Sequence, residues 1–233
     1  RKAFAPLVEK VSFASFGDMD SLRSAIDEDT ALIILEPIQG ESGIIVAPDG
    51  FLQEVRNLCD EKGILLVFDE IQAGLGRTGR LWAGEHWNTV PDILCLAKGI
   101  AGGVPMGATL VRPDILAAIS KGEHSSTFGG NPISCAAGIA ALTSITEDGL
   151  IENSKKMGEI FREGLEKLKE KHTMIRDIRG KGLMIGIEMK FEVKDILMGL
   201  IQEGVLMLYS GRNILRILPP LVIKEEDVTK VLH

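Results

Sequence analysis

The chain has 233 residues, 45% hydrophobic, 25% charged and only 5% aromatic, which supplies one large or two modest cores and excludes a disordered polymer. Lysine and arginine number 26 against 33 aspartates and glutamates, a formal net charge of −7, and the basic residues form no dense run, so non-specific nucleic-acid binding loses its electrostatic basis. The longest stretch without Asp, Glu, Lys or Arg, His124 to Thr146, is too polar to cross a bilayer, and no membrane segment is expected.

Arg1 to Pro6 contains no apolar run of signal-peptide length and reads like the interior of a longer protein. Ala31 to Leu35 is the first apolar run, ending at Glu36-Pro37; Ile64 to Phe68 ends at Asp69-Glu70, and Ile93 to Ala97 ends at Lys98. All three read as strands buried on both faces. Between the first two, Phe51, Leu52, Val55, Leu58 and Cys59 fall at helical spacing and Lys62-Gly63 supplies a stop, giving a strand-helix-strand unit. The alternation predicts an α/β fold with a mostly parallel sheet. Such sheets bind ligands at the C-terminal ends of their strands, where each of these runs delivers a charged residue.

Gly74-Leu75-Gly76-Arg77-Thr78-Gly79 is a literal G-x-G-x-x-G, but Asp69 and Glu70 stand between the strand and the glycines, where they would repel a pyrophosphate. No following strand ends in a ribose-binding acid at the expected distance, and a dinucleotide loop is rejected. Lys98, at a strand end before Gly99, Gly102 and Gly103, is expected to carry a partly desolvated amine able to form a Schiff base; a snorkelling strand-end lysine is the plain alternative. Asp69 on the neighbouring strand would flank the same pocket, a pairing that suits pyridoxal phosphate, with an Asx turn or a helix cap as its structural alternative.

The composition shifts near Thr146 to Gly149. Leu150 to Lys171 is charge-rich with Ile151, Met157, Ile160, Phe161, Leu165 and Leu168 at helical spacing, an amphipathic helix. Gly182 to Glu188, Val205 to Tyr209 and Ile214 to Leu218 read as strands, with helices near Val193 to Gln202 and from Glu225. The expected division is residues 1–149 in one domain and 150–233 in a smaller α+β domain. Cys59, Cys95 and Cys135 are odd in number and far apart, which favours packing roles in a reducing, cytoplasmic setting over disulfides or zinc. No metal site is expected, and His86 and His124 read as loop residues without a determined role.

Four blocks then carry a resemblance: residues 35–43 (LEPIQGESG), 68–79 (FDEIQAGLGRTG), 96–103 (LAKGIAGG) and 126–132 (STFGGNP). Their order and spacing, over essentially the whole chain, resemble the class III pyridoxal-phosphate aminotransferases. Residues 102–108 (GGVPMGA) and 214–223 (ILRILPPLVI) are most similar to the acetylornithine and ornithine branch, with the carrier-linked lysine and arginine biosynthetic aminotransferases similar in the same blocks. The resemblance implies part of a fold type I large domain followed by the C-terminal small domain. It also implies transfer of a terminal amine from N-acetylornithine, or a similar ω-amino donor such as ornithine, to 2-oxoglutarate, giving a semialdehyde and glutamate in arginine or lysine biosynthesis.

By that resemblance Lys98 is the Schiff-base lysine and proton carrier, Asp69 pairs with the pyridine nitrogen, Gln72 bonds the phenolic oxygen and Ile71 packs on the ring. Thr127 would reach the cofactor phosphate of the neighbouring subunit in a homodimer, and the uncharged helix after Asn131 would support that interface unless it is an ordinary buried helix. Glu41 and Arg216 would act as a switch. Arg216 binds the α-carboxylate of glutamate when free and is neutralised by Glu41 when a substrate lacking that group enters; a structural ion pair is the alternative. Glu41 also speaks against the related aminomutase, which needs no external amino acceptor. Ser125 stands where relatives usually carry glycine and Phe128 where tyrosine is common. The family's N-terminal phosphate cup, ring-stacking aromatic and carboxylate-binding arginine have no counterpart in these residues. The chain alone is therefore expected to show little activity, as a fragment would without its missing portion.

Overall fold

The computed structural model describes residues 5–233. Asp18 opens the first helix, α1 (Met19–Ala25), accepting the Ser21 N–H at 3.0 Å. The first sheet then assembles from β1 (Leu32–Leu35), β4 (Leu65–Asp69), β5 (Ile93–Leu96) and β6 (Ala108–Val111), in the order β1-β4-β5-β6. The first three strands are parallel and β6 closes the far edge antiparallel. Between β1 and β4 lie a short hairpin, β2 (Ile38–Gln39) with β3 (Ile45–Val46), and the crossover helix α2 (Phe51–Lys62).

Helix α2 follows its sequence pattern: Phe51, Leu52, Val55, Leu58 and Cys59 are its buried residues. Gly63 ends it at φ +67, a left-handed conformation glycine adopts without a Cβ penalty, with its N–H donated to the Cys59 carbonyl. This stripe packs with Ile33, Leu66, Phe68, Leu94 and Leu96 in one core.

The expectation of strands buried on both faces is corrected at β1. Ile33 is buried, but Leu32 and Ile34 are 45% and 59% exposed, because the pleat turns them to the other face of β1, which no described element covers. A continuous apolar run does not reveal whether its second face is covered.

A buried carboxylate ties the N-terminal ends of the sheet. Asp92, just before β5, accepts the Leu66 N–H at 2.8 Å and pairs with Arg56 of α2 at 2.9 Å and Arg112 at 2.5 Å. After β6 come the short α3 (Pro113–Leu116), a long loop and α4 (Pro132–Glu147), which Asn131 caps by accepting the Ser134 N–H at 3.0 Å.

Helix α5 (Leu150–Lys171) covers the second sheet, formed by β7 (Ile175–Lys181), β8 (Met184–Met189), β10 (Ile214–Ile217) and β9 (Leu208–Ser210). Its strands pair antiparallel in the order β7-β8-β10-β9. Helices α6 (Lys194–Gln202) and α7 (Glu225–Leu232) complete this part. Met157, Phe161 and Leu165 of α5 form its core with Ile185, Ile187, Leu215, Ile217 and Val228. Strand β7 escapes the sequence pattern because a register shift between Ile175 and Asp177 breaks its alternation. The strand expected at 205–209 is confined to Leu208–Ser210, since Val205 donates its N–H back to the Leu200 carbonyl and closes the end of α6. Among the described residues no helix is long and apolar enough to cross a membrane.

Candidate active site

The C-terminal ends of the three parallel strands converge. Leu35 of β1 pairs with Phe68 of β4, and Asp69 pairs with Cys95 of β5, so Glu36 and Asp69 leave adjacent strands side by side and Lys98 follows on the next. Asp69 is half-buried, and its Oδ1 accepts the Ile71 N–H at 3.0 Å. This Asx turn fixes the carboxylate as the chain leaves the sheet. Lys98 opens a 3-10 turn, Lys98–Ala101, at φ +50. Its side chain is exposed, which corrects the expectation of a desolvated amine: the strand it follows is buried, but the chain emerges over the open edge of the sheet.

In the sequence Glu36 is only a strand-end acid. It is half-buried and accepts the Gly40 N–H at 3.0 Å. Burial raises its pKa against the pull of that hydrogen bond; the charges of Asp69 and Glu41 raise it further and Lys98 opposes them. These charged groups therefore occupy one electrostatic neighbourhood.

Glu41 lies in the hairpin turn between β2 and β3 and meets Arg216 from β10 of the second sheet. Their charged atoms are 2.9 Å apart, and the side chains differ sharply, Arg216 being 5% exposed and Glu41 74%. Gln72 joins them, donating its amide to Glu41 at 2.8 Å and accepting from Arg216 at 3.5 Å. These partners, Gln72 first and then Arg216, hold the Glu41 carboxyl below its ordinary range. Arg216 also has a buried Nε without a hydrogen-bond partner among the described residues. A fixed, buried cation thus faces an anion in solvent.

The G-x-G-x-x-G loop has a structural use. The Arg77 carbonyl accepts the Leu183 N–H and the Ser154 hydroxyl, both at 3.0 Å, and its guanidinium donates to the carbonyls of Leu183 and Pro219. Burial lowers the pKa of that guanidinium to about 10. Gly182 lies so close to Thr78 that any Cβ there would collide with its backbone. The loop therefore docks the first sheet onto the second, and with it positions Arg216 relative to Glu41 and Gln72.

Glu70, just before the loop, is fully buried and accepts the N–H groups of Ala83 at 2.6 Å and Gly84 at 2.8 Å, beyond its far end. Burial raises its pKa to about 7 although both hydrogen bonds favour the ionised form. The native protein then holds a proton that the unfolded chain releases between about pH 4.5 and 7, so this group makes stability fall as pH rises through that window. Glu70→Gln, neutral throughout, is expected to flatten the pH dependence of the urea midpoint there; an unchanged slope would exclude Glu70 as its source.

Ile71 follows Asp69 and is half-buried. Thr127 is exposed in the loop before α4 and takes no part in the hydrogen bonds joining Glu41, Gln72 and Arg216. Helix α4 is not an ordinary buried helix: Ser134, Gly138 and Ile145 are its buried residues, while Ile133 and Ile139 are exposed. All three cysteines are free thiols. His86 Nε2 lies 3.0 Å from the Thr78 carbonyl, and burial lowers its pKa to about 4. No cluster of three or more His, Cys, Asp or Glu suited to a metal occurs among the described residues.

Residues 4–233 match the family Aminotransferase class-III. The chain is 44% identical over 233 residues to the acetylornithine aminotransferase of Caldanaerobacter subterraneus, covering 100% of this chain and 59% of that protein. It is 43% identical over 234 residues to ornithine aminotransferase 1 of Staphylococcus saprophyticus, with the same shares. A structure of the ornithine aminotransferase from Toxoplasma gondii, with PLP at partial occupancy in its active site, superposes with a TM-score of 0.94 at 37% identity, covering 98% of this chain and 55% of that one. The chain thus spans about 59% of the length of the curated relatives it matches. With its strand-end carboxylate and lysine on a mainly parallel sheet, it belongs to the class-III aminotransferase family.

Proposed function

We propose that the protein transfers a terminal amino group from N-acetylornithine, or a closely similar ω-amino donor such as ornithine, to 2-oxoglutarate, giving a semialdehyde and glutamate. The observation that carries this reading is the Glu41–Arg216 pair bridged by Gln72 above the strand ends that bear Asp69 and Lys98. Residues 1–149 would then form part of the cofactor-binding domain and 150–233 the small domain.

The donor set fits pyridoxal 5′-phosphate. An accessible amine and a half-buried carboxylate stand on neighbouring strand ends, one oriented by an Asx turn, the other projecting from the open edge. When bound, the cofactor supplies a carbonyl that takes up the amine and a cationic ring that accepts the electrons of the broken C–H bond. Lys98 would hold it and move the proton at the reacting carbon, Asp69 would keep the ring nitrogen protonated, Ile71 would pack on the ring and Gln72 would bond its phenolic oxygen.

Arg216 selects the substrate. Paired with Glu41 it presents little net charge and admits a donor whose reacting carbon bears no carboxylate; released, it binds the α-carboxylate of glutamate bidentately. Gln72 gives the freed Glu41 carboxylate a partner already in contact, which lowers the cost of exchange. Removing one partner of a buried charge pair costs several kcal/mol. Arg216→Ala is therefore expected to lower kcat/KM for 2-oxoglutarate by at least about 100-fold, with a smaller effect on the donor half-reaction. Repeated turnover of N-acetylornithine without 2-oxoglutarate, beyond one product per active site, would contradict a transaminase and favour a mutase.

The exposed face of α4 supports a homodimer, in which Thr127 would reach the partner's cofactor phosphate. Ile133→Glu with Ile139→Glu is expected to shift the protein toward monomer in analytical ultracentrifugation; an unchanged sedimentation coefficient would count against this face. Free cysteines support a cytoplasmic setting.

A further inference from the structure

The segment carrying Glu41 is gripped from both sides. On one side Glu36, from the end of β1, accepts the Gly40 N–H at 3.0 Å. On the other, Ser210, the buried last residue of β9, donates its hydroxyl to the Glu41 carbonyl. The two bonds therefore fix the N–H at the start of the Gly40–Glu41 dipeptide and the carbonyl at its end. Further along, Arg179 donates to the Gly43 carbonyl at 3.0 Å. Gly43 itself, at φ +110, lies so close to Ile214 that a Cβ would collide with it, and a Cβ at Gly40 would collide with the Gln72 amide.

The Glu41 side chain itself stays in solvent. Its backbone is held by the first sheet through Glu36 and by the second through Ser210, whose strand pairs with the strand bearing Arg216. We propose that Glu36 and Ser210 are positioning residues that clamp the Gly40–Glu41 peptide, so that Glu41 engages or releases Arg216 by side-chain rotation alone and the choice between an ω-amine donor and a dicarboxylate is set by this clamp.

This inference rests on the proposed selection by Glu41 and Arg216. Loosening the clamp reduces the fraction of time Glu41 spends on Arg216. The freed guanidinium then binds a dicarboxylate more tightly and receives the ω-amine donor less well. Both changes should be severalfold, up to about tenfold, the net worth of one hydrogen bond.

The test uses the holoenzyme and glutarate, a dicarboxylate that cannot turn over, titrated calorimetrically alongside donor KM and kcat. Ser210→Ala and Glu36→Ala are each expected to tighten glutarate and raise donor KM with kcat nearly unchanged. Ser210→Thr and Glu36→Gln, which keep the hydroxyl donor and the acceptor oxygen, are expected to restore wild-type values. Two independent sides of the clamp keep the test decisive if one variant folds poorly. Wild-type glutarate affinity in both alanine variants, or an equal loss in both half-reactions, would overturn the clamp. Wild-type glutarate affinity in Glu41→Ala would overturn the Glu41–Arg216 reading itself, and the clamp with it.

Discussion

Replacing Lys98 with alanine is expected to lower kcat/KM for both half-reactions by at least about 10⁴-fold, since the amine would act both as cofactor anchor and as proton carrier, and general acid–base catalysis alone contributes up to about 10⁴. Stability should barely change. The side chain is exposed and makes no hydrogen bond or ion pair among the described residues, so its removal leaves no buried group unsatisfied. The φ of +50 disfavours alanine and lysine alike, so the backbone conformation adds no penalty specific to the variant. A melting temperature equal to wild type with activity lost would separate a chemical role from a structural one. Residual activity within tenfold of wild type would remove Lys98 from the chemistry.

The largest stability effect is expected at Asp92, at the opposite end of the same sheet. Its carboxylate satisfies the Leu66 N–H and neutralises Arg56 and Arg112. Arg112 is half exposed and already pairs with Asp114 at 2.6 Å, whereas Arg56 is largely buried and would retain only the exposed Asp60. Asp92→Ala therefore strands a buried donor and a mostly buried cation, and such losses cost about 3–5 kcal/mol. Chemical denaturation should show a loss of unfolding free energy of that size, with activity per folded molecule unchanged because the site lies at the other strand ends. A shift below about 1 kcal/mol would mean the three partners find water or one another instead.

The helices were legible because their signals are local. The stripe of α2 with its Gly63 stop, and the stripe of α5, are periodic in sequence and need no knowledge of what covers them. The parallel strands were legible as apolar runs ending in Glu36, Asp69 and Lys98. What they hid was exposure, because Leu32 and Ile34 read as buried in a chain whose outer strand shows one face, and Lys98 read as desolvated.

Tertiary features left weaker marks. Glu41, Gln72 and Arg216 meet from three separate segments, and only resemblance placed Glu41 with Arg216. The contact of Gln72 with both leaves no mark in the sequence, nor does the role of Ser210, a serine beside an apolar strand with no motif around it. The glycine-rich loop shows the reverse case: a strong local motif whose meaning, docking of Arg77 on Leu183 and Pro219, depends on residues more than a hundred positions away.

The most direct measurement is reduction of the purified protein with borohydride in the presence of pyridoxal 5′-phosphate, followed by peptide mass mapping. The expected result is a pyridoxyl group on Lys98, absent from the Lys98→Ala protein. Label spread over other lysines with none on Lys98, or labelling unchanged in the variant, would contradict the assignment of the site.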